Sequence, residues 1–287
     1  MNVYAIQTLS TVTRIGVLGD LHGDLFHVLE VSRMLAGRGV RVLLQLGDFG
    51  VIWPGHNWAS DVAKLSRRLA EHRQSFFFVD GNHEFFPNLH KFPIRADGLR
   101  WIASNIAHLP RGFRTLIGGQ HVLAALGGAN SIDRSHRSPG HSWWPEEAIT
   151  EADLTEIGSE RADVLVGHEV PQHVPGLEQL LTDEDQWAPQ DVRYAKQGRA
   201  MFHRALLQTR PRLSLGGHYH CFIDETITSR TATGVFPTRV VVLDMNGPAT
   251  ISTAILDTRT LELEFMDRRG NPPGGSCHLP QVSGDGL

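Results

Sequence analysis

Five short blocks carry side chains with metal-binding chemistry in a fixed order along the 287-residue chain: GDLHGD at 19–24, GDFG at 47–50, GNHE at 81–84, GHE at 167–169 and GHYH at 217–220. They supply Asp20, His22, Asp48, Asn82, His83, His168, His218 and His220, enough to hold two metal ions with one imidazole to spare. A carboxylate can bridge two cations, whereas an imidazole gives one lone pair to one cation. A close pair of metals therefore needs a shared Asp, and Asp48 is the natural bridge. In extended backbone, residues two apart share a face, so Asp20 and His22 can reach one ion together. His218 and His220 have the same spacing and can serve neighbouring ions. Carboxylate, amide and imidazole donors without thiolate suit two divalent ions of Mn, Fe, Zn or Ni, with Mn favoured, better than Mg, Ca or Cu(I).

These residues need elements to position them, and each block ends an apolar run that reads as a buried strand. The runs are RIGVLGD at 14–20, RVLLQLGD at 41–48, SFFFVDGNH at 75–83, ADVLVGH at 162–168 and PRLSLGGHYH at 211–220. The ligands fall at the carboxyl ends of strands, where open α/β sheets place their sites. Turn formation alone would explain one such junction, but not five in this order. Between the strands, residues 24–37 and 58–73 carry apolar side chains at helical spacing, which predicts a β-α-β-α-β start with parallel pairing. Residues 112–128 read as two short strands around Gly118 and Gly119. A helix is expected after Pro145 with Glu146 and Glu147 in its first turn, a long loop over 170–190 and a helix over 190–209. The last strands are expected at 221–232, 238–245, 250–256 and 259–266, and a disordered tail rich in Gly, Pro and Ser over 267–287.

The blocks resemble those of the calcineurin-like metallophosphoesterases, whose pattern is DxH, GD, GNH[DE], H and GHxH, over roughly residues 14–246. The resemblance implies an α/β (α+β) sandwich of two facing mixed β-sheets flanked by helices. It implies a first metal held by Asp20, His22, Asp48 and His220, and a second held by Asp48, Asn82, His168 and His218. His83 would stand beside the metals as a catalytic group. The two cations, bridged by Asp48, would share a hydroxide that attacks phosphorus in line with the leaving oxygen. His83 could protonate that oxygen or stabilise the transition-state charge.

One departure bears on substrate. Serine/threonine phosphatases of this superfamily carry GDxVDRG at the second motif, where this chain reads GDFGVIWPG and lacks the arginine. That weakens a protein-phosphatase reading. A further stretch, GGANSIDRSHRSPGHSWWPEE at 127–147, is similar to the GGAxSxDxxxRxxGxSWWxxE segment of small bacterial and bacteriophage metallophosphoesterases and reads as a lid or substrate-side loop. Within it Asp133, Arg134, His136 and Arg137 could grip a phosphate or ribose, because guanidinium matches phosphate geometry. They could equally form a solvated loop with internal salt bridges. Trp143 and Trp144 could stack on a base, although anchoring the loop on the core fits general burial tendencies better.

With 41% hydrophobic residues the chain can bury a large core, and the spread of the motifs from Asp20 to His220 favours one domain over residues 1–266. A net charge of −4 gives no general pull toward long nucleic acid. Two cysteines, Cys221 and Cys277, without CxxC spacing suggest a reducing compartment, and no apolar run of about 18 residues could span a bilayer, so a cytoplasmic location is expected. The expected activity is metal-dependent hydrolysis of a small phosphodiester, a nucleotide or cyclic nucleotide. The alternatives are a phosphomonoesterase or protein phosphatase in which Arg134 or Arg137 replaces the missing charge, and a non-catalytic metal-binding scaffold. A scaffold would be expected to lack His83 or a ligand, and this chain has all of them.

Overall fold

The computed structural model of the chain describes residues 9–54, 57–182, 186–232 and 234–273. Its opening is the expected alternation of β1 (Arg14–Leu18), α1 (Leu25–Gly37), β2 (Val42–Gln45), α2 (Trp58–Glu71) and β3 (Ser75–Phe78). The three strands pair in parallel, with Leu43 opposite Gly16 on one side and Phe76 on the other. Asp24 caps α1 by accepting the His27 N–H at 2.9 Å.

Beyond β3 come a short helix α3 (Phe86–Leu89) and a hairpin of β4 (Arg100–Ala103) and β5 (Ile106–His108), then β6 (Arg114–Ile117), β7 (His121–Leu126), α4 (Glu151–Ile157) and β8 (Val164–Gly167). The chain continues through α5 (Pro175–Leu180), α6 (Pro189–Thr209), β9 (Leu213–Gly216), β10 (Ile223–Thr231), β11 (Gly234–Val242), β12 (Thr253–Asp257) and β13 (Leu263–Met266). Seven strands form one sheet in the order β13-β12-β1-β2-β3-β5-β4, and six form the other in the order β10-β11-β9-β8-β7-β6. Both sheets are mixed, and helices cover their outer faces, so the expected sandwich is the fold.

Strand periodicity explains the layers. In β2, Val42 and Leu44 join Val17, Phe77, Val166 and Leu215 in the core between the sheets. Leu43 points the other way and packs with Phe76, Val28, Leu35 and Leu65 beneath α1 and α2. A strand apolar on both faces is thus buried on both. The second sheet repeats the arrangement, with Leu165 and Val240 facing Phe202 and Leu206 of α6. Each such side chain, when fully buried, contributes on the order of 1.5–3 kcal/mol.

Four local expectations differ. Pro145 opens only a single 3₁₀ turn, Pro145–Glu147, and the helix begins at Glu151. Thr150 starts it through a capping box, its hydroxyl accepting from Asp153 N while Asp153 accepts from Thr150 N at 2.7 Å. The expected loop over 170–190 contains α5. The strands β4 and β5 are absent from the sequence reading, being too short to show a pattern; β5 is ordered by pairing with β3, Ile106 opposite Phe76. Finally, β11 begins before Pro237, where it pairs only with β10; its pairing to β9 starts at Arg239, so the proline breaks no ladder on that side. Of the segment expected as a tail, Asp267 accepts from the backbone of Arg269 and Asn271 at 2.8 and 2.9 Å, and residues 274–287 lie outside the described residues.

Candidate metal centre

The carboxyl ends of β1, β2, β3, β8 and β9 meet at one edge of the sandwich. The first two loops are tied directly, with His22 N and Leu21 N donating to Asp48 O at 2.9 and 3.2 Å. Buried Gln45 donates to the carbonyls of Gly19 and Gly47, joining the same loops from below. Four of the candidate ligands stand in the left-handed backbone region: His22 (φ 45°), Asp48 (φ 56°), His218 (φ 69°) and His220 (φ 48°). Non-glycine residues there cost on the order of 1–3 kcal/mol each, and such strain collects at functional sites. The turns are that tight because side chains converge. A Cβ on Gly81 would overlap the Asp48 carboxylate, and one on Gly217 would overlap that of Asp20.

Among the described residues, ligand atoms gather into two groups, Asp20 with His22 and His220, and Asp20 with Asp48 and His168. In the first, His22 Nε2 lies 3.0 Å from His220 Nε2, and Asp20 Oδ2 lies 3.3 Å from His220 Nε2. In the second, His168 Nε2 lies 3.3 Å from Asp48 Oδ2 and 3.1 Å from Asn82 Oδ1. Asp20, rather than the expected Asp48, is the carboxylate common to both groups, although Asp48 Oδ2 also lies 3.8 Å from His22 Nδ1 of the first. His218 falls outside both groups, its ring centroid 5.1 Å from that of His168.

The donors fit cations. His168 Nδ1 lies 2.8 Å from the Leu46 carbonyl and must donate to it, so Nε2 is the nitrogen turned toward Asp48 and Asn82. Three lone-pair atoms then face one another, and Asp48 Oδ2 is buried without a hydrogen bond. Without metal a proton fills the gap: burial opposes a charged His168, but the carboxylates of Asp48 and Asp20 outweigh it and push this imidazole up to about 10. Burial likewise opposes charge on Asp48, yet His168 and His83 hold its carboxyl well below the usual range. A divalent cation would displace that proton.

A family model described as calcineurin-like phosphoesterase matches residues 13–222 of the chain. The chain belongs to the calcineurin-like phosphoesterases. No curated protein matches it. The crystal structure of TT1561 of Thermus thermophilus is similar over 90% of this chain and 100% of that one, with 16% identity and a TM-score of 0.54. A second solved structure covers 89% of this chain and 98% of its own, at 13% identity and a TM-score of 0.52. At these identities the likeness carries the fold alone. As a calcineurin-like phosphoesterase the chain is a metal-dependent phosphoester hydrolase, and the divalent metal centre of such enzymes matches the convergent donors above.

In this calcineurin-like phosphoesterase the 127–147 segment reaches the metal groups only in part. Arg137 is brought in: its Nη2 lies 2.7 Å from His83 Nε2 while its Nε pairs with Asp133 at 2.7 Å. Arg134 is not. Its guanidinium is stacked between Trp143 and Tyr194, 4.5 Å from each ring centre. His136 is exposed and turned toward Trp187. Trp144 is 6% exposed and packs on Trp53 and Phe85, the anchoring role.

Several supporting residues lie outside the expected candidate set. Trp53, in the loop where the middle-motif arginine is missing, donates its indole N–H to the His83 carbonyl at 2.7 Å. Glu84 is fully buried and accepts from Phe49 N at 2.7 Å. Burial and the neighbouring Asp48 raise its carboxyl well above the ordinary value. Asp80 accepts from Arg111 Nε and Nη2 at 3.0 and 2.6 Å and pairs with His108 at 3.0 Å. Ser131 and Glu147 lie behind Asn82. The last residue of GNHE points to Glu84, and the pattern quoted for 127–147 includes Ser131 and Glu147.

Proposed function

We propose that this chain hydrolyses a small phosphodiester, a nucleotide or cyclic nucleotide, with Mn²⁺ as the favoured metal. The carrying observation is the state of Arg137. Its side chain is 9% exposed, touches His83, and is paired with Asp133 at 2.7 Å. One partly compensated cation beside the metal ligands suits a singly charged diester better than a doubly charged monoester. Arg134, which could have added a second charge, is committed to Trp143 and Tyr194.

On this reading Asp20, His22, Asp48 and His220 hold one ion, and Asp48, Asn82, His168 and His218 the other. When bound, the pair would polarise the phosphoryl oxygens and make water a competent nucleophile near neutral pH. Arg137 orients a non-bridging oxygen by donating to it, and His83 donates a hydrogen bond to the departing oxygen. Asp133 keeps Arg137 extended toward His83; Arg134 and His136 lie further out and contact only larger substrates. The catalytic unit is one domain over residues 1–266, a reading supported by β12 pairing with β1, the strand that leads to Asp20. A cytoplasmic setting fits the two cysteines in 287 residues. No helix among the described residues is long and apolar enough to cross a membrane.

The test is a panel of bis-nitrophenyl phosphate, nitrophenyl phosphate, 2′,3′- and 3′,5′-cyclic nucleotides and a phosphopeptide, each with Mn²⁺. Diesters should exceed monoesters in kcat/KM by roughly 10-fold or more, about 1.4 kcal/mol. A monoester or phosphopeptide hydrolysed faster than every diester would overturn the proposal.

A further inference from the structure

An asparagine that binds a cation must present its amide oxygen, because the nitrogen has no lone pair to give. The two ends of the amide have nearly the same shape, so something must hold it one way round. Asn82 Oδ1 lies 3.1 Å from His168 Nε2, and its Nδ2 lies 3.1 Å from Ser131 Oγ. A hydroxyl can donate or accept, so Ser131 alone would tolerate either orientation.

Glu147 removes that freedom. Its Oε2 accepts the Ser131 hydroxyl proton at 2.6 Å and its Oε1 accepts the Ser131 N–H at 2.9 Å. With its single proton committed to a carboxylate, Ser131 Oγ can only accept, and only the nitrogen of Asn82 can donate to it. The relay is sealed from water: Asn82, Ser131 and Glu147 are 4%, 1% and 0% exposed.

The two backbones in the relay are clamped together by one guanidinium. Arg111 donates to the carbonyls of Glu146 and Ala148, each at 2.7 Å, while gripping Asp80, two residues before Asn82. The distance between Glu147 and Asn82 is therefore held from behind as well as through Ser131.

We propose that Ser131 and Glu147 are positioning residues that lock Asn82 with its amide oxygen toward the second metal position. The inference rests on the ligand role given to Asn82 above.

Calorimetric titration of the metal-stripped full chain with Mn²⁺ tests it. Ser131→Ala and Glu147→Gln should each weaken one of the two binding events by roughly 10- to 100-fold, the usual effect of losing an outer hydrogen-bond partner, and leave the other unchanged. Ser131→Thr keeps the hydroxyl and should restore wild-type affinity. Asn82→Asp offers an oxygen whichever way it turns, so adding Ser131→Ala to it should cost no more than about twofold. A Ser131→Ala loss as large in the Asn82→Asp background as in the wild type would overturn the lock, as would no loss in the wild type. Because the readout is Mn²⁺ affinity, a chain that hydrolyses no diester would refute the proposed function and leave this result standing. An Asn82→Ala variant that keeps both ions at full affinity would instead sink the ligand role and the lock with it.

Discussion

Arg137 Nη2 stands 2.7 Å from His83 Nε2 across 54 residues of sequence. A guanidinium has only donors, so Nε2 accepts, and His83 is a neutral imidazole with its proton on Nδ1. Burial pushes His83 down to about 4; Asp48 opposes that shift and Arg137 adds to it. In the metal-free chain His83 therefore carries no charge at neutral pH. It is suited to donating a hydrogen bond and not to acting as a pre-charged acid.

That contact predicts coupled variants. His83→Ala should retain both metals, because both proposed ligand shells are filled without it, while kcat falls by roughly 10²–10⁴-fold and less for a nitrophenol leaving group. Arg137→Ala should lower kcat/KM by about 1.5–3 kcal/mol, as for a charge-assisted hydrogen bond. The double variant should lose less than the two effects added, since each partner acts partly through the other. Strict additivity in steady-state rates, or metal loss in His83→Ala, would contradict this arrangement.

Asp80 and Arg111 should govern acid stability. Burial opposes a charge on Asp80, but Arg111 and His108 outweigh it and hold its carboxyl well below the ordinary range. A carboxyl depressed in the fold stabilises fully above its unfolded pKa of about 3.9 and loses that contribution as pH falls through and below it. With chelator present, so that metal release does not contribute, the urea midpoint should drop between about pH 5 and pH 3. Arg111→Met leaves buried Asp80 with His108 as its remaining partner and should cost about 3–5 kcal/mol at pH 7, with a flatter decline in acid. A wild-type midpoint for Arg111→Met at pH 7 is the result that rules this out.

Glycine substitutions should separate site packing from helix propensity. Gly81→Ala drives a methyl into the Asp48 carboxylate and should abolish turnover and reduce the bound-metal count measured by elemental analysis. Gly37, at the end of α1, has nothing within 4 Å of an added Cβ, and Gly37→Ala should stabilise by about 0.4–1 kcal/mol in thermal melts without touching activity. Full metal content in Gly81→Ala would refute the close approach.

The ligands and their places at strand ends are legible in the chain itself. Asp20, Asp48, Asn82, His168 and His218 each follow an apolar run and a glycine, and strand, turn and ligand lie within a few residues of one another, so local chemistry suffices. The β-α-β-α-β start is legible for the same reason, because hydrophobic period and crossover rules act over short spans. Pro145 misleads because the stronger helix start, the Thr150–Asp153 capping box, lies a few residues further on.

Which members of the 127–147 segment reach the metals is settled by packing across the whole fold. The quoted pattern specifies Asp133 and Arg137 and leaves Arg134 and His136 variable, but their contacts come from the fold: Arg134 is drawn off by Trp143 and Tyr194 while Arg137 reaches His83. Ser131 and Glu147 belong to the pattern quoted for 127–147, but only β3 and the Arg111 clamp bring them behind Asn82. A side chain's partner across about 50 residues depends on how two sheets close on one core, and pairings set by that closure leave no periodic trace in the chain.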